Sequence, residues 1–356
     1  MEATTFLSPS FPIFVIMKNI LITGGAGYIG SHTAVELLEA GYKVVLADNL
    51  SNADTTCLDG VKRITGRDIP FYKADCCRKA QLRKIFREQK IDGVIHFAAF
   101  KAVGESVEKP LLYYRNNVLS LVTLLEVLVE NKGGFVVFSS SATVYGQPPV
   151  LPVTENTPRM PATSPYGNTK QICEDILSDT TRAYPSVRGI ILRYFNPIGA
   201  HPSALIGELP RGIPNNLVPF ITQTAAGIRK ELQIFGSDYN TPDGTALRDY
   251  IDVVDLATAH VSALKRMEAQ NKPGSCEVFN VGTGKPLSVM ELVQKFQAVN
   301  NLSLKYHVTG RREGDVEAVW ADTSLANRAL SWKAERPLED TLANAWAWEK
   351  KIRGII

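Results

Sequence analysis

The sequence has little of what would place it outside the cell or against a polyanion. Among 356 residues there are five cysteines, Cys57, Cys76, Cys77, Cys173 and Cys276. Their number is odd, their spacing is irregular and no C-x-x-C pair occurs, which argues against a disulfide framework or a zinc site and fits a reducing, cytoplasmic setting. No uninterrupted apolar run reaches the roughly 18 residues of a membrane span. Charge of one sign is also lacking: 39 Lys and Arg against 36 Asp and Glu leave a formal +3. That excess gives no whole-protein attraction to nucleic acid or membrane, so any phosphate binding must come from a few basic groups placed locally. Residues 1–16, MEATTFLSPSFPIFVI, lack the basic start of a leader, carry Glu2 and are interrupted by Pro9 and Pro12. Residues 1–17 are therefore expected to be an unstructured extension ahead of the fold. Neither an internal repeat nor a low-complexity segment is present.

What is present is an alternation of short apolar strands with helical stretches. Residues 18–23 (KNILIT), 42–47 (YKVVLA), 93–98, 134–139 and 189–194 read as strands. Helical patterns cover 29–40, 79–89, 111–130 and 166–184 between them. Such an order predicts an α/β fold, a Rossmann-type doubly wound parallel sheet with helices on both faces. After Asn196 the pattern breaks into Pro- and Gly-rich sequence with one helix near 219–230. The expected division is a dinucleotide-binding domain over 18–196, to which a strand and helix in 248–270 return. Residues 197–247 and 271–356 are assigned to a smaller α/β substrate domain.

The first strand runs into Gly24-Gly25-Ala26-Gly27-Tyr28-Ile29-Gly30, a G-x-x-G-x-x-G at the mouth of a helix. In this context each of Gly24, Gly27 and Gly30 has a steric purpose: a tight turn, close approach to a pyrophosphate, and helix-on-strand packing. The helix start presents free N–H groups and partial positive charge to phosphates. Asp48 ends the second strand 18 residues after Gly30. A carboxylate there accepts from an adenosine ribose and repels a 2′-phosphate, which favours NAD over NADP.

Residues 164–170, SPYGNTK, contain Y-x-x-x-K. Thr163 or Ser164 can cap a helix and Pro165 suits its first turn, which puts Tyr166 and Lys170 on one face. A free tyrosine has a pKa near 10, so only about one in a thousand is phenolate at pH 7. Bringing that pKa to about 7 requires about 4 kcal/mol in favour of the anion, which a neighbouring ammonium and a nicotinamide cation can provide. Tyr166 is thus a candidate base and Lys170 its electrostatic activator. Residues 139–146, SSSATVYG, follow another strand; their hydroxyls suit either a ligand crevice or a turn.

Several of these segments together resemble the extended short-chain dehydrogenase/reductases, and within them the UDP-glucose 4-epimerase family. The resemblance runs from residue 18 to about 348, carried by TGGAGYIGSHT, DNLSN, HFAAFKAVGES, FSSSATVYG, SPYGNTK, LRYFNPIGAHP, GIPNNLVPF, GTALRDYI and RREGDVEAVWAD. It implies an isomerase acting on a UDP-hexose, UDP-glucose or UDP-galactose, through a 4-keto sugar, with NAD retained between turnovers. Tyr166 would remove the proton of the 4-hydroxyl, aided by Ser141 and Thr143. Further NAD contacts are implied for Tyr28, Ile29, Asn49, Asn52, Asp75, Cys76, Phe97, Ala98, Lys101, Asn116 and Lys170. Ala53 departs from the polar residue usual after Asn52, which puts one phosphate contact in doubt.

For the nucleotide sugar the resemblance implies Asn196, Asn216, Leu217, Gln233, Phe235, Arg248, Arg312 and Asp315. Two arginines can fork onto a pyrophosphate and the aspartate can accept from a ribose hydroxyl. Val319 stands where the family often has a large aromatic residue, so the pocket is expected to admit an N-acetyl group, as in UDP-GlcNAc and UDP-GalNAc. The resemblance further implies a homodimer joined through the helices at 111–130 and 166–184. A sugar-nucleotide 4,6-dehydratase is disfavoured because Ala142 and Val144, not acids, flank Thr143. A decarboxylase stays open, and a non-catalytic NAD sensor is disfavoured by the intact Ser141, Tyr166 and Lys170.

Overall fold

The computed structural model describes residues 18–312 and 314–355; the extension expected over 1–17 lies outside the described residues. Six strands come first: β1 (Asn19–Thr23), β2 (Lys43–Asp48), β3 (Phe71–Lys73), β4 (Gly93–His96), β5 (Gly134–Ser141) and β6 (Val187–Tyr194). After them come β7 (Asn196–Ile198), β8 (Leu232–Phe235), β9 (Leu247–Asp252), β10 (Cys276–Val281), β11 (Pro286–Ser288), β12 (Tyr306–Thr309) and β13 (Ala318–Val319).

Seven strands pair in parallel in the order β10-β6-β5-β4-β1-β2-β3. Their apolar residues alternate between two cores. Ile20, Ile22, Leu46, Val137 and Leu192 pack toward the helices Tyr28–Glu39 and Val253–Gln270. Leu21, Val45, Val94, Val136 and Ile191 pack toward Lys79–Gln89, Leu119–Glu130 and Pro165–Ala183. Each such fully buried Leu, Ile or Val contributes about 1.5–3 kcal/mol. The winding reverses between β1 and β4, and an α/β sheet opens a ligand crevice at the strand carboxyl ends there.

The helix expected over 111–130 is interrupted. Pro110–Tyr113 and Leu119–Glu130 are joined by a wide π turn at Tyr114–Val118. Inside it the Asn117 amide donates to Phe100 O (3.0 Å) and Thr169 Oγ1 (3.1 Å) and accepts from Phe100 N (2.8 Å). An asparagine tied to a neighbouring loop and helix is a local cause of the widening.

A second difference concerns the strand expected to return within 248–270. The helix Val253–Gln270 does pack against Tyr28–Glu39, but β9 pairs with β7, β11 and β13. The strand that joins the main sheet is β10, beside β6 and within the stretch assigned to the smaller domain. The physical reason is visible in LRDYID: Arg248 and Asp249 suit a strand in a small polar sheet better than one covered on both faces. Asp249 is fully buried, and there it accepts from Thr283 N, Gly284 N and Ala321 N. β8 and β12 form a separate parallel pair. Ile221, Ile234, Leu292, Phe296 and Leu342 form the core between these strands and the helices Leu217–Ala225, Val289–Asn300 and Leu338–Arg353.

Candidate active site

One large cleft, about 1030 Å³, opens at the carboxyl ends of the main sheet. Its floor is the glycine turn, which occupies the crevice the strand order predicts. Gly24 has φ +72°, and a Cβ there would stand 2.9 Å from Ala98 N. A Cβ at Gly30 would stand 2.3 Å from Gly24 O, so the helix Tyr28–Glu39 can seat this closely only on glycine. That helix starts at Gly27 with no side-chain cap and no acid in its first turn, leaving its positive end open to the cleft. Tyr28, Ile29, Asn49, Asn52, Asp75, Cys76, Phe97, Ala98, Lys101 and Asn116 line the same space.

Asp48 accepts from Ala26 N (3.2 Å) and Leu50 N (2.8 Å), one bond to each carboxylate oxygen. Burial raises its pKa, and those two backbone bonds oppose the rise. The aspartate therefore both braces the glycine turn and keeps acceptor capacity for a ribose hydroxyl.

The opposite wall holds the reactive side chains. Ser164 accepts from Gly167 N (3.2 Å) and caps Pro165–Ala183, with Pro165 in the first turn. One turn apart on this helix, Tyr166 and Lys170 both reach the cleft. Lys170 Nζ donates to Ser139 O (2.7 Å) and lies 5.8 Å from the centre of the Tyr166 ring. Burial pushes the Tyr166 phenol up to about 12, with the Ser141 hydroxyl beside it pulling the other way. Burial likewise pushes Lys170 down to about 8. The lysine therefore does not lower the phenol in this structure, because it loses its own proton at lower pH than the tyrosine does. Ser141 and Thr143 stand at the end of β5 and in the short turn Ala142–Tyr145, and both line the cleft. Thr143 Oγ1 is buried with no hydrogen-bond partner among the described residues.

On the remaining side Asn196, Asn216, Arg248, Arg312, Asp315 and Val319 face the cleft. Arg248 donates to Val316 O (2.7 Å) and pairs with Asp315 at 3.6 Å. Leu217, Gln233 and Phe235 do not line it. Leu217 opens the helix Leu217–Ala225, directly after Asn216. Gln233 and Phe235 share the exposed face of β8, whose Leu232 and Ile234 fill the core. Phe235 pairs with Thr309 at the end of β12, three residues before Arg312, so this face borders the cleft without forming its wall.

A family model described as GDP-mannose 4,6 dehydratase matches residues 21–345. The UDP-glucose 4-epimerase of Haemophilus influenzae is 51% identical over 93% of this chain and 97% of its own. UDP-glucose 4-epimerase 2 of Arabidopsis thaliana is 49% identical over 93% and 95%. The chain belongs to the UDP-glucose 4-epimerase family. Among solved family structures, the Bifidobacterium longum UDP-glucose 4-epimerase in complex with NAD+ and UDP superposes with a TM-score of 0.91. It is 45% identical and covers 95% of this chain and all of that one. The UDP-Glc/GlcNAc 4-epimerase of Campylobacter jejuni superposes at 0.80, 35% identical over 94% and 99%.

Glu208 and Arg211 are among the cleft residues of this family member that the sequence did not single out. Glu208 accepts from both Lys101 Nζ (2.9 Å) and Asn216 Nδ2 (2.6 Å), tying one side of the cleft to the other. Arg211 donates to Leu50 O (3.1 Å), above the loop that follows Asp48. Nothing in periodicity marks either one; only their place in the polar GELPRG segment, between two apolar stretches, was a signal. The residues present fit a dinucleotide: a glycine cradle that a Cβ would fill, an open helix terminus and an acceptor at Asp48.

Proposed function

We propose that the chain interconverts UDP-glucose and UDP-galactose by 4-epimerisation, with NAD held in the cleft. The observation that carries this reading is the meeting of Ser141, Tyr166 and Lys170 with the Gly24–Gly27–Gly30 turn in a single cleft. The likeness to NAD-complexed 4-epimerases across nearly the whole chain supports it.

Bound in this cleft, NAD would supply reversible hydride-accepting chemistry at sugar carbon 4, and the overall reaction is redox-neutral. Gly24, Gly27 and Gly30 give the pyrophosphate its bed at the helix start, and Asp48 accepts from the adenosine ribose. Tyr166 Oη takes the proton of the sugar 4-hydroxyl and later gives it back to the same oxygen on the other face of the ring. The Ser141 hydroxyl orients that exchange, and the Lys170 ammonium would favour the phenolate once bound NAD brings the phenol down. Arg248 and Arg312 hold the pyrophosphate of the nucleotide sugar, leaving the hexose free to turn.

Val319, buried beside Ala142, Val144 and Phe195, lines the cleft where the family resemblance implies a large aromatic residue. We extend the substrate class on that ground to UDP-GlcNAc and UDP-GalNAc. A second copy of the chain is proposed to cover the exposed Val107, Leu111, Leu112 and Leu119, which cluster around the interrupted helix. The five free cysteines suit a reducing, cytoplasmic compartment.

The test is to purify the protein without added NAD and offer UDP-galactose and UDP-GalNAc separately, resolving products by chromatography. UDP-glucose and UDP-GlcNAc are expected. No change in either sugar, even after NAD is supplied, would refute the assignment.

A further inference from the structure

Behind the reactive wall lies a buried ion pair that the proposed chemistry does not use. Glu174 and Arg193 are 3% and 5% exposed. Arg193 Nε donates to Glu174 Oε1 (2.9 Å) and Nη2 to Oε2 (2.6 Å), a fork-on-fork pair. Arg159 adds a longer contact at 3.6 Å from the helix entrance. Burying two ions costs several kcal/mol of hydration, and a well-packed apolar pair of similar volume is commonly as stable or more so. Stability alone is therefore a weak reason for this pair to be here.

Its connections offer a better one. Ser140 Oγ donates to Glu174 Oε1 (2.5 Å) from the middle of β5's serine run. On one side of Ser140, the Ser139 carbonyl holds Lys170; on the other, the Ser141 hydroxyl lies beside Tyr166. Because strand residues alternate, Ser140 points away from the cleft while its neighbours set groups within it. Glu174 itself is one turn beyond Lys170 and two beyond Tyr166 on the same helix. Arg193 Nη1 donates to Tyr145 Oη (3.1 Å), and Tyr145 donates to Asn280 Oδ1 (2.6 Å). Tyr145 closes the short turn that carries Thr143. One buried pair thus touches the strand, the helix and the turn that bear Ser141, Tyr166, Lys170 and Thr143.

We propose that Glu174, with Arg193, is a positioning residue that fixes the spacing between the serine run of β5 and the Tyr166–Lys170 helix. The inference rests on the proposed epimerase reading for its kinetic consequences. The groups facing Lys170 are His96 from β4 and Tyr166, Cys173 and Glu174 from its own helix, with Ser139 O as its hydrogen-bond acceptor. Burial lowers the pKa of Lys170, Cys173 and then Glu174 oppose that shift, and of these two Glu174 is the carboxylate.

Truncating Glu174 alone strands a buried Arg193, so folding itself would be at risk. Two gentler variants separate position from stability: Ser140→Ala, which leaves the ion pair intact, and the paired Glu174→Leu with Arg193→Met. Three readouts apply: thermal melting, kcat and KM for UDP-galactose, and titration of Lys170 by NMR of ε-¹³C-lysine protein, assigned with Lys170→Met. The paired variant is expected to fold, keep KM and lose about tenfold or more in kcat. In it Lys170 should lose its proton at lower pH than in the parent, whether or not NAD is bound. Ser140→Ala should show a smaller loss in kcat with KM again unchanged.

A folded paired variant with parental kcat and a parental Lys170 titration would overturn the proposal. Should that variant fail to fold, parental kcat in Ser140→Ala would do so. If the unaltered protein does not convert UDP-galactose, the epimerase reading falls, and the Lys170 titration still decides the role of Glu174.

Discussion

Replacing Lys170 with methionine keeps the length of the side chain and removes one charge from the reactive wall. Its nitrogen lies 5.8 Å from the centre of the Tyr166 ring. At an effective dielectric constant of about 20, a unit charge at that distance favours a phenolate by about 3 kcal/mol. That equals about two pKa units, or about a hundredfold in phenolate population. Lys170 is pushed down to about 8 and Tyr166 up to about 12 by burial. Without another cation in the cleft, the lysine therefore discharges before the phenol ionises, and the two help each other only when bound NAD brings the phenol down. With NAD saturating near neutral pH, Lys170→Met should lower kcat about a hundredfold and change KM for UDP-galactose little. The parent should lose activity as rising pH discharges Lys170, and the variant should lack that alkaline limb. A kcat within threefold of the parent, measured by chromatographic conversion of UDP-galactose, would refute the electrostatic role of Lys170.

The remaining predictions concern stability, cofactor, specificity and assembly. Because burial lowers the pKa of Lys170 from 10.5 to about 8, its charge costs the fold about 3 kcal/mol below pH 8, a cost that fades as pH rises toward the unfolded value. With about 1 kcal/mol lost at the Ser139 carbonyl, Lys170→Met should be about 2 kcal/mol more stable at pH 7 and no more stable above about pH 10, by denaturant titration. Gly30→Ala, which forces a Cβ against Gly24 O, should cost about 1–3 kcal/mol and release NAD during gel filtration; retention of NAD at parental stability would contradict the account of the turn. Val319→Tyr should suppress turnover of UDP-GalNAc and spare UDP-galactose, while loss of both or neither would remove Val319 as a specificity residue. If the parent sediments as the proposed dimer, Leu111→Asp with Leu119→Asp, at positions 81% and 42% exposed, should convert it to monomer; a parental monomer would refute the proposed dimer, and an unaltered dimer would move the interface elsewhere.

The parts of this protein legible from sequence are those whose physics is local. Gly24, Gly27, Gly30 and Asp48 are recognisable because a turn, a helix start and a strand end follow one another within a few residues. Tyr166 and Lys170 are recognisable because helical spacing alone puts them on one face. The sheet assignment of β9 was not legible, since strand pairing is decided between segments far apart in the chain. The π turn at Tyr114–Val118 depends on Asn117 meeting Phe100 and Thr169, contacts that no periodicity reports. The Glu174–Arg193 pair left one trace: a lone arginine in the apolar run GIILRY, on a strand otherwise suited to full burial. Glu208 left only its place in the polar GELPRG segment, because its partners Lys101 and Asn216 come from different lobes of the cleft.

The central claim is that hydride leaves and returns to the same sugar carbon within this cleft. UDP-galactose carrying deuterium at carbon 4, incubated with the purified protein in ordinary water, tests it most directly. The account predicts UDP-glucose with the deuterium still at carbon 4 and no solvent hydrogen there, by mass spectrometry and NMR. Deuterium moved to carbon 6 of a 4-keto-6-deoxy product would reveal a dehydratase, and deuterium lost to solvent would contradict direct hydride return.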